Sequence, residues 1–254
     1  MIGPLLFILL SLGDLAIHST EGCENMEIVS RAEWGARESL SNETMVTPVP
    51  HLFIHHTAMS ECNNFASCSQ MMRTIQNFHI DDRGWDDIGY NFLIGGDGRV
   101  YMGRGWDRVG AHTYGFNRIA VAFSLMGDFS HKLPSELMLN ATKSLIECAK
   151  NENHVISNYK LHGHRDAGCT ECPGSAFYNL IKTWPHFVGG PIPDRLKART
   201  SRRVRREENP LLWEQPTAVE PVAVGISSSC FATGFRNHLR LFFCKASEAR
   251  TEKP

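Results

Sequence analysis

The chain has no excess charge of either sign, because its 254 residues carry 26 Lys and Arg against 27 Asp and Glu, a formal net charge of −1. Binding to nucleic-acid phosphates requires a basic surplus, so this balance argues against a nucleic-acid partner. The sequence also lacks internal repeats. A hydrophobic fraction of 42% and a charged fraction of 21% are typical of a globular protein. We expect one domain with tails, because two domains of usual size would not fit once the ends are set aside.

A long membrane-spanning run is missing from the N-terminus. The apolar stretch over residues 2–13 is shorter than the ~20 residues of a span, and it fits the core of a signal peptide. No Lys or Arg precedes it and Asp14 follows closely, so a buried N-terminal segment is the alternative. We assign residues 1–22 to a signal peptide and expect a secreted, extracellular protein without a transmembrane segment once the signal is removed.

The C-terminal part differs in composition from the rest. A basic block over residues 195–206 is followed by a Pro-containing stretch with little periodicity. We assign residues 191–254 to a basic, disordered tail and residues 23–190 to the globular domain. A processing site at residues 203–206 and a patch that attracts anionic bacterial surfaces are the two functional alternatives for this tail.

Strands and helices alternate along the domain. The patterns predict strands over residues 52–56, 88–95, 99–103, 119–129 and 159–163, and helices over residues 65–81, 134–153 and from Pro173 onward. The run over residues 119–129 is almost entirely apolar, which is typical of a central strand buried on both faces. The fold class that follows is α/β, with a mixed central β-sheet and helices packed on its faces.

Two of the predicted helices have a defined start and an inward face. Pro134 is expected in the first turn of its helix, and the apolar face of that helix is predicted to contain Leu137, Ala141, Leu145 and Cys148. The inward residues of the last helix are expected to be Phe177, Leu180, Ile181 and Trp184.

A candidate metal site combines two distant parts of the chain. His55 and His56 end the apolar strand, and His164 is followed eight positions later by Cys172 and then by Pro-Gly. Two imidazoles and one thiolate suit zinc, and three protein ligands leave a coordination position for water. Adjacent strand residues face opposite ways, so only one of His55 and His56 can point at the metal. The alternatives are structural histidines and a disulfide between Cys169 and Cys172.

The chain from about Ser30 to Phe187 resembles the peptidoglycan recognition proteins, the animal relatives of the bacteriophage-type N-acetylmuramoyl-L-alanine amidases. The matching segments are residues 29–36, 54–58, 84–92, 103–106, 110–113, 163–166 and 172–174, which include the words Ile-His-His-Thr-Ala, Gly-Trp-Asp-Asp-Ile-Gly-Tyr-Asn-Phe and Gly-His-Arg-Asp.

The resemblance implies a secreted zinc amidase of innate immunity. It would bind bacterial peptidoglycan and hydrolyse the amide between N-acetylmuramic acid and L-alanine. The implied zinc ligands are His55, His164 and Cys172, and the implied catalytic residues are Tyr90 and Thr170. Family members that only recognise peptidoglycan typically lack the cysteine, which favours the enzyme over the alternative of a non-catalytic recognition protein. A third possibility is a structural zinc or disulfide-stapled protein, and without the resemblance Tyr90 would be assigned to the core.

The resemblance also implies specificity and disulfides. Gly84, Trp85 and Arg104 match a pattern associated with meso-diaminopimelic-acid peptidoglycan, whose extra carboxylate a guanidinium can bind in a bidentate manner. Further substrate-binding positions are His112, Thr113 and Asn117. The implied disulfides are Cys62–Cys68 and Cys23–Cys148; a Cys230–Cys244 bridge in the tail would then leave Cys169 over.

Overall fold

The computed structural model describes Cys23 and residues 26–192. The predicted signal peptide and nearly all of the predicted tail, with Cys230 and Cys244, lie outside the described residues and remain predictions. Among the helices of the described part, none is both long and apolar enough to cross a membrane.

A mixed sheet of six strands forms the centre of the described domain. The strands are β1 (Ile28–Val29), β2 (Val49–His56), β3 (Phe92–Ile94), β4 (Val100–Met102), β5 (Ala120–Leu125) and β6 (Val155–Gly163). Their order across the sheet is β1-β4-β3-β5-β2-β6. Only the β3–β4 hairpin pairs in the antiparallel sense within this sheet. All residues of β5 are buried, which confirms the prediction of a central strand.

Four α-helices accompany the sheet in the described residues. They are α1 (Arg31–Trp34), α2 (Phe65–Asn77), α3 (Glu136–Asn151) and α4 (Ser175–Ile181). Helix α2 continues into a π-helical turn over Phe78–Asp82. Asn64 caps α2 by accepting from the backbone N–H of Ser67, which satisfies one of the unpaired donors of the first turn.

The hairpin residues show how helices cover both faces of the sheet. Leu93 and Tyr101 pack in one apolar cluster with Met72 and Ile75 of α2. The neighbouring residues of the same two strands point the other way, into a cluster shared with α3 and α4; they include Phe92, Ile94 and Val100. The alternation of strand side chains therefore produces a core on each face, and the predicted fold class is confirmed.

Three local predictions are wrong in detail. Residues 88–91 are not part of a strand, because Gly89 bonds to Ala111 of another loop and β3 begins only at Phe92. Helix α3 begins after Pro134, with Ser135 as its N-cap. Leu137 lies in the first turn of α3, where it is exposed, and Met138 is buried in its place.

Two disulfides have both of their cysteines within the described residues. Cys23 bonds to Cys148 of α3, and Cys62 bonds to Cys68 in the first turn of α2, as the resemblance implied. Cys169 is also disulfide-bonded, so the expectation that it would be left over is wrong. Cys172 keeps its thiol and is buried, so a Cys169–Cys172 disulfide is not formed.

Candidate active site

Two neighbouring parallel strands bring His55 and His164 to the same edge of the sheet. Ile54 of β2 is paired with Gly163 of β6, so the two strands end side by side. The imidazole centroids of His55 and His164 are 4.5 Å apart. The neighbouring His56 points elsewhere: its Nδ1 accepts a hydrogen bond from the backbone N–H of Phe129 at 3.2 Å. Of the adjacent pair, only His55 therefore contributes to the cluster, as strand alternation predicts.

Cys172 completes a cluster of three buried ligand-type side chains. One ligand atom each from His55, His164 and Cys172 lies within 4.8 Å of the others. The distance from His55 Nδ1 to Cys172 Sγ is 3.7 Å, close to the ~3.6 Å that ordinary Zn–N and Zn–S bonds at a tetrahedral angle would give. His164 Nδ1 is buried without a hydrogen-bond partner. The donor set and this unsatisfied nitrogen both fit a zinc ion.

The surroundings keep the cluster in the form that a metal requires. Burial, followed by the charges of His164, His112 and His56, holds the pKa of His55 well below its ordinary value, so this imidazole stays neutral and keeps a lone pair. The backbone N–H of His56 donates to Cys172 Sγ at 3.4 Å, an interaction that favours the thiolate.

Asp166 fixes the turn that carries His164, a role that the sequence pattern alone does not predict. The buried carboxylate accepts hydrogen bonds from the backbone N–H of Gly163 at 2.8 Å, the hydroxyl of Tyr178 at 2.6 Å and the backbone N–H of Gly190 at 2.8 Å. These bonds hold both ends of the short 3₁₀ turn over His164–Asp166. Its place in the Gly-His-Arg-Asp word was the available signal.

The two residues expected to be catalytic occupy different places. Tyr90 is half-buried, and its ring centroid is 5.2 Å from that of His55, so the phenol borders the cluster. Thr170 lies on the loop before the cysteine, where its hydroxyl accepts a hydrogen bond from the backbone N–H of Cys172 at 3.2 Å. This bond orients the loop that carries the cysteine.

The expected specificity residues lie on the segment that leads to Tyr90 and on the loop beyond β4. Gly84 has a φ of +67°, a conformation that favours glycine. Trp85 is half-buried with its ring 4.6 Å from that of His79. The Arg104 guanidinium donates to the carbonyls of Ile88 at 2.8 Å and Val109 at 2.7 Å. Arg104 thus ties together the loops on either side of it.

His79 is a further residue of this region, and the sequence pattern did not predict it. Its Nδ1 accepts a hydrogen bond from the backbone N–H of Gly89 at 3.0 Å, and its ring lies 5.9 Å from that of Tyr90. Burial, followed by the charges of Arg104 and Arg83, lowers the pKa of His79 to about 3. A lone histidine at the end of a helical pattern carries no distinctive sequence signal.

His112, Thr113 and Asn117 form one connected group beside His55. Asn117 Oδ1 accepts from the backbone N–H groups of His112 at 2.9 Å and Thr113 at 2.8 Å. The Thr113 hydroxyl lies 3.0 Å from His112 Nδ1 and 3.3 Å from His55 Nε2. Of the three residues expected to bind substrate, Thr113 therefore contacts the His55–His164–Cys172 cluster through His55, and Asn117 holds the backbone that carries Thr113.

Comparisons with known proteins agree with this arrangement. The sequence profile of the family described as N-acetylmuramoyl-L-alanine amidase matches residues 45–175. The chain is 42% identical over 185 residues to peptidoglycan recognition protein 1 of Bos indicus, which covers 72% of this chain and 95% of that protein. It is 41% identical over 160 residues to peptidoglycan-recognition protein SC2 of Drosophila simulans, covering 63% of this chain and 87% of the relative.

Solved structures give the same result. Wild-type Drosophila PGRP-LB has a TM-score of 0.63 at 43% identity, covering 64% of this chain and 96% of that one. Human PGRP-IβC, solved in complex with glycosamyl muramyl pentapeptide, has a TM-score of 0.62 at 43% identity, covering 63% and 98%. The chain therefore belongs to the N-acetylmuramoyl-L-alanine amidase family and, within it, to the peptidoglycan recognition proteins.

Proposed function

We propose that this protein is a secreted zinc amidase that binds bacterial peptidoglycan and hydrolyses the amide between N-acetylmuramic acid and L-alanine. The observation that carries the proposal is the cluster of His55, His164 and Cys172, in which a buried thiol faces one imidazole and the buried nitrogen of the other has no partner. A purely recognising protein has no need for such a cluster.

The chemistry is divided between the ion and the residues around it. When bound, zinc would polarise the amide carbonyl and lower the pKa of a water molecule toward neutrality. We assign to Tyr90, whose ring centroid lies 5.2 Å from that of His55, the donation of its phenolic hydrogen to the carbonyl oxygen as negative charge develops there. Thr170 holds the backbone of Cys172, and Asp166 holds the turn of His164. These contacts keep the ligands in place before substrate arrives.

The proposed substrate is peptidoglycan of the meso-diaminopimelic-acid type. Related structures support a muropeptide ligand: one solved relative is a Drosophila PGRP-LB mutant in complex with tracheal cytotoxin. Arg104 uses three N–H groups on the carbonyls of Ile88, Val109 and Asp87. A guanidinium has five N–H donors, so two remain for a ligand carboxylate. Burial is the main cause that lowers the pKa of Arg104, because the buried guanidinium has lost part of its hydration. Pairing with a ligand carboxylate would offset the free-energy cost of burying this charge.

The decisive experiment measures release of stem peptide from purified peptidoglycan by the zinc-loaded full chain, with Cys172→Ser as the matched variant. We expect the wild type to bind about one zinc per chain and to release peptide. The variant should lose zinc and lose release by about 10³-fold, some 4 kcal/mol of barrier, while still sedimenting with peptidoglycan.

Two outcomes would count against the proposal. Equal peptide release by Cys172→Ser would contradict the assigned ligands. Binding of peptidoglycan without release by the zinc-loaded wild type would instead identify a non-catalytic recognition protein. Comparing diaminopimelic-acid and lysine-type peptidoglycan in the same assay tests the assigned specificity, since the first should bind more tightly.

A further inference from the structure

A hydrogen-bonded chain of three buried side chains leads away from the metal cluster. His55 directs Nδ1 toward Cys172 and Nε2 toward the Thr113 hydroxyl, at 3.7 Å and 3.3 Å respectively. The same hydroxyl lies 3.0 Å from His112 Nδ1. His55, Thr113 and His112 are at most 5% exposed. Solvent therefore has little access to the protons of this chain.

Only two proton arrangements satisfy this chain. A hydroxyl has one proton, so between two ring nitrogens it donates to one and accepts from the other. In the first arrangement His55 donates from Nε2–H to Thr113, and Thr113 donates to His112 Nδ1. In the second the direction is reversed, and His55 carries its proton on Nδ1, where it would point at Cys172 and block a metal ion.

The ligand cluster selects the first arrangement. His55 Nδ1 faces Cys172 Sγ at 3.7 Å, and an ion held between them would need the lone pair of this nitrogen. The proton of the neutral His55 ring is then on Nε2, which faces the Thr113 hydroxyl. That hydroxyl accepts from His55 and donates its own proton to His112 Nδ1.

We propose that Thr113 is a positioning residue that fixes the tautomer of His55, so that the Nδ1 lone pair faces Cys172 and the ion held there, with His112 Nδ1 as the acceptor of the hydroxyl proton. Asn117 holds the two hydrogen-bonded loop residues in place, because its side-chain oxygen accepts from the backbone N–H groups of His112 and Thr113. This inference rests on the metal site of the proposed function. It gives His112, Thr113 and Asn117 a role in orienting His55, in addition to the substrate contacts expected from the sequence.

The test compares zinc affinity for three forms of the full chain: wild type, Thr113→Val and Thr113→Ser. Valine has nearly the shape of threonine but no hydroxyl, whereas serine keeps the hydroxyl. Loss of an outer hydrogen bond to a metal-binding histidine typically costs 10–100-fold in metal affinity. We expect a loss of about that size for Thr113→Val, measured by competition with a chelator, and an affinity near that of the wild type for Thr113→Ser. Equal affinities for all three forms would overturn the proposal.

A second measurement needs neither the variant nor the metal. Nitrogen-15 NMR of histidine-labelled, zinc-free wild type at pH 7.5 reports the tautomer of each neutral ring. We expect both His55 and His112 to carry the proton on Nε2; a proton on Nδ1 of either ring would overturn the inference. Failure of the wild type to bind zinc would instead contradict the proposed function. The tautomers would still show in which direction the hydrogen bonds from His55 to His112 are donated.

Discussion

Two pairs of histidines on neighbouring segments of the chain differ in their hydrogen bonding. The inner pair is His51 on β2 and His162 on β6, and the outer pair is His55 near the end of β2 and His164 in the turn that follows β6. His162 donates from Nδ1 to the carbonyl of Val188 at 2.7 Å, so its Nε2 accepts from His51 Nδ1 at 3.0 Å. This inner pair is closed by hydrogen bonds, and burial lowers the pKa of His162, which keeps the ring neutral.

The outer pair has the same residue types but different neighbours. His164 Nδ1 has no hydrogen-bond partner within the described structure, and His55 Nδ1 faces a sulfur. A pair of neighbouring histidines is therefore structural when its ring nitrogens are hydrogen-bonded to a carbonyl and to the partner ring. It is a candidate metal site when those nitrogens are buried and unused.

The largest effect should come from removing the outer histidine on the β6 side. In His164→Phe we expect zinc binding to be lost and peptide release to fall by about 10³-fold, because two remaining ligands cannot hold a catalytic zinc. Metal content and the peptidoglycan assay measure this. Zinc retained at wild-type affinity would show that the outer pair is as structural as the inner one.

The matched substitution in the inner pair should give the reverse pattern. His162→Phe leaves the Val188 carbonyl and His51 Nδ1 without their partner, which should lower the free energy of unfolding by about 1–3 kcal/mol. Zinc affinity should stay near that of the wild type. Urea denaturation and chelator competition on the same sample check both parts, and a large loss of zinc with unchanged stability would contradict the comparison.

The smallest effect concerns His79, which is buried beside Tyr90. Burial is the main cause that lowers the pKa of His79 to about 3 from its ordinary value of 6.5, so between these values the unfolded chain binds a proton that the folded protein does not. The contribution of neutral His79 to the free energy of unfolding is therefore complete above pH 6.5. It decreases as the pH falls, by at most ~1.4 kcal/mol per pH unit.

In His79→Gln the side-chain oxygen can still accept from Gly89, but no proton binds. We expect the free energy of unfolding of this variant to fall less steeply than that of the wild type between pH 6.5 and 4.5, as measured by urea denaturation. Identical slopes for the two proteins would show that His79 is not held neutral. The inner and outer pairs stay intact in this variant, so it isolates one buried imidazole.

Some features were predictable because they depend on local pattern. The central strand β5 followed from an unbroken apolar run, and the separation of His55 from His56 followed from strand alternation. The start of α3 was displaced because Ser135 is a good N-cap and proline does not donate a hydrogen bond. Leu137 was misassigned because helical spacing alone does not say which turn of a helix meets the core.

Other features depend on contacts between distant segments. His79 and Asp166 had no distinctive spacing, yet each is fixed by backbone groups that the fold brings close, such as Gly89 and Gly190. Likewise, the roles of Thr170 and Thr113 are visible only through the atoms that their hydroxyls contact. A pattern within one segment does not encode such pairings.

By itself, the sequence determined which side chains are available: two strand-end histidines, a cysteine before Pro-Gly and the segments of a known family. Only the tertiary structure decided which of the histidines keep a ring nitrogen without a hydrogen bond and which are hydrogen-bonded to each other. The physical reason is that a buried imidazole must either satisfy its nitrogens with nearby donors and acceptors or leave one for a ligand, and those neighbours come from distant parts of the chain.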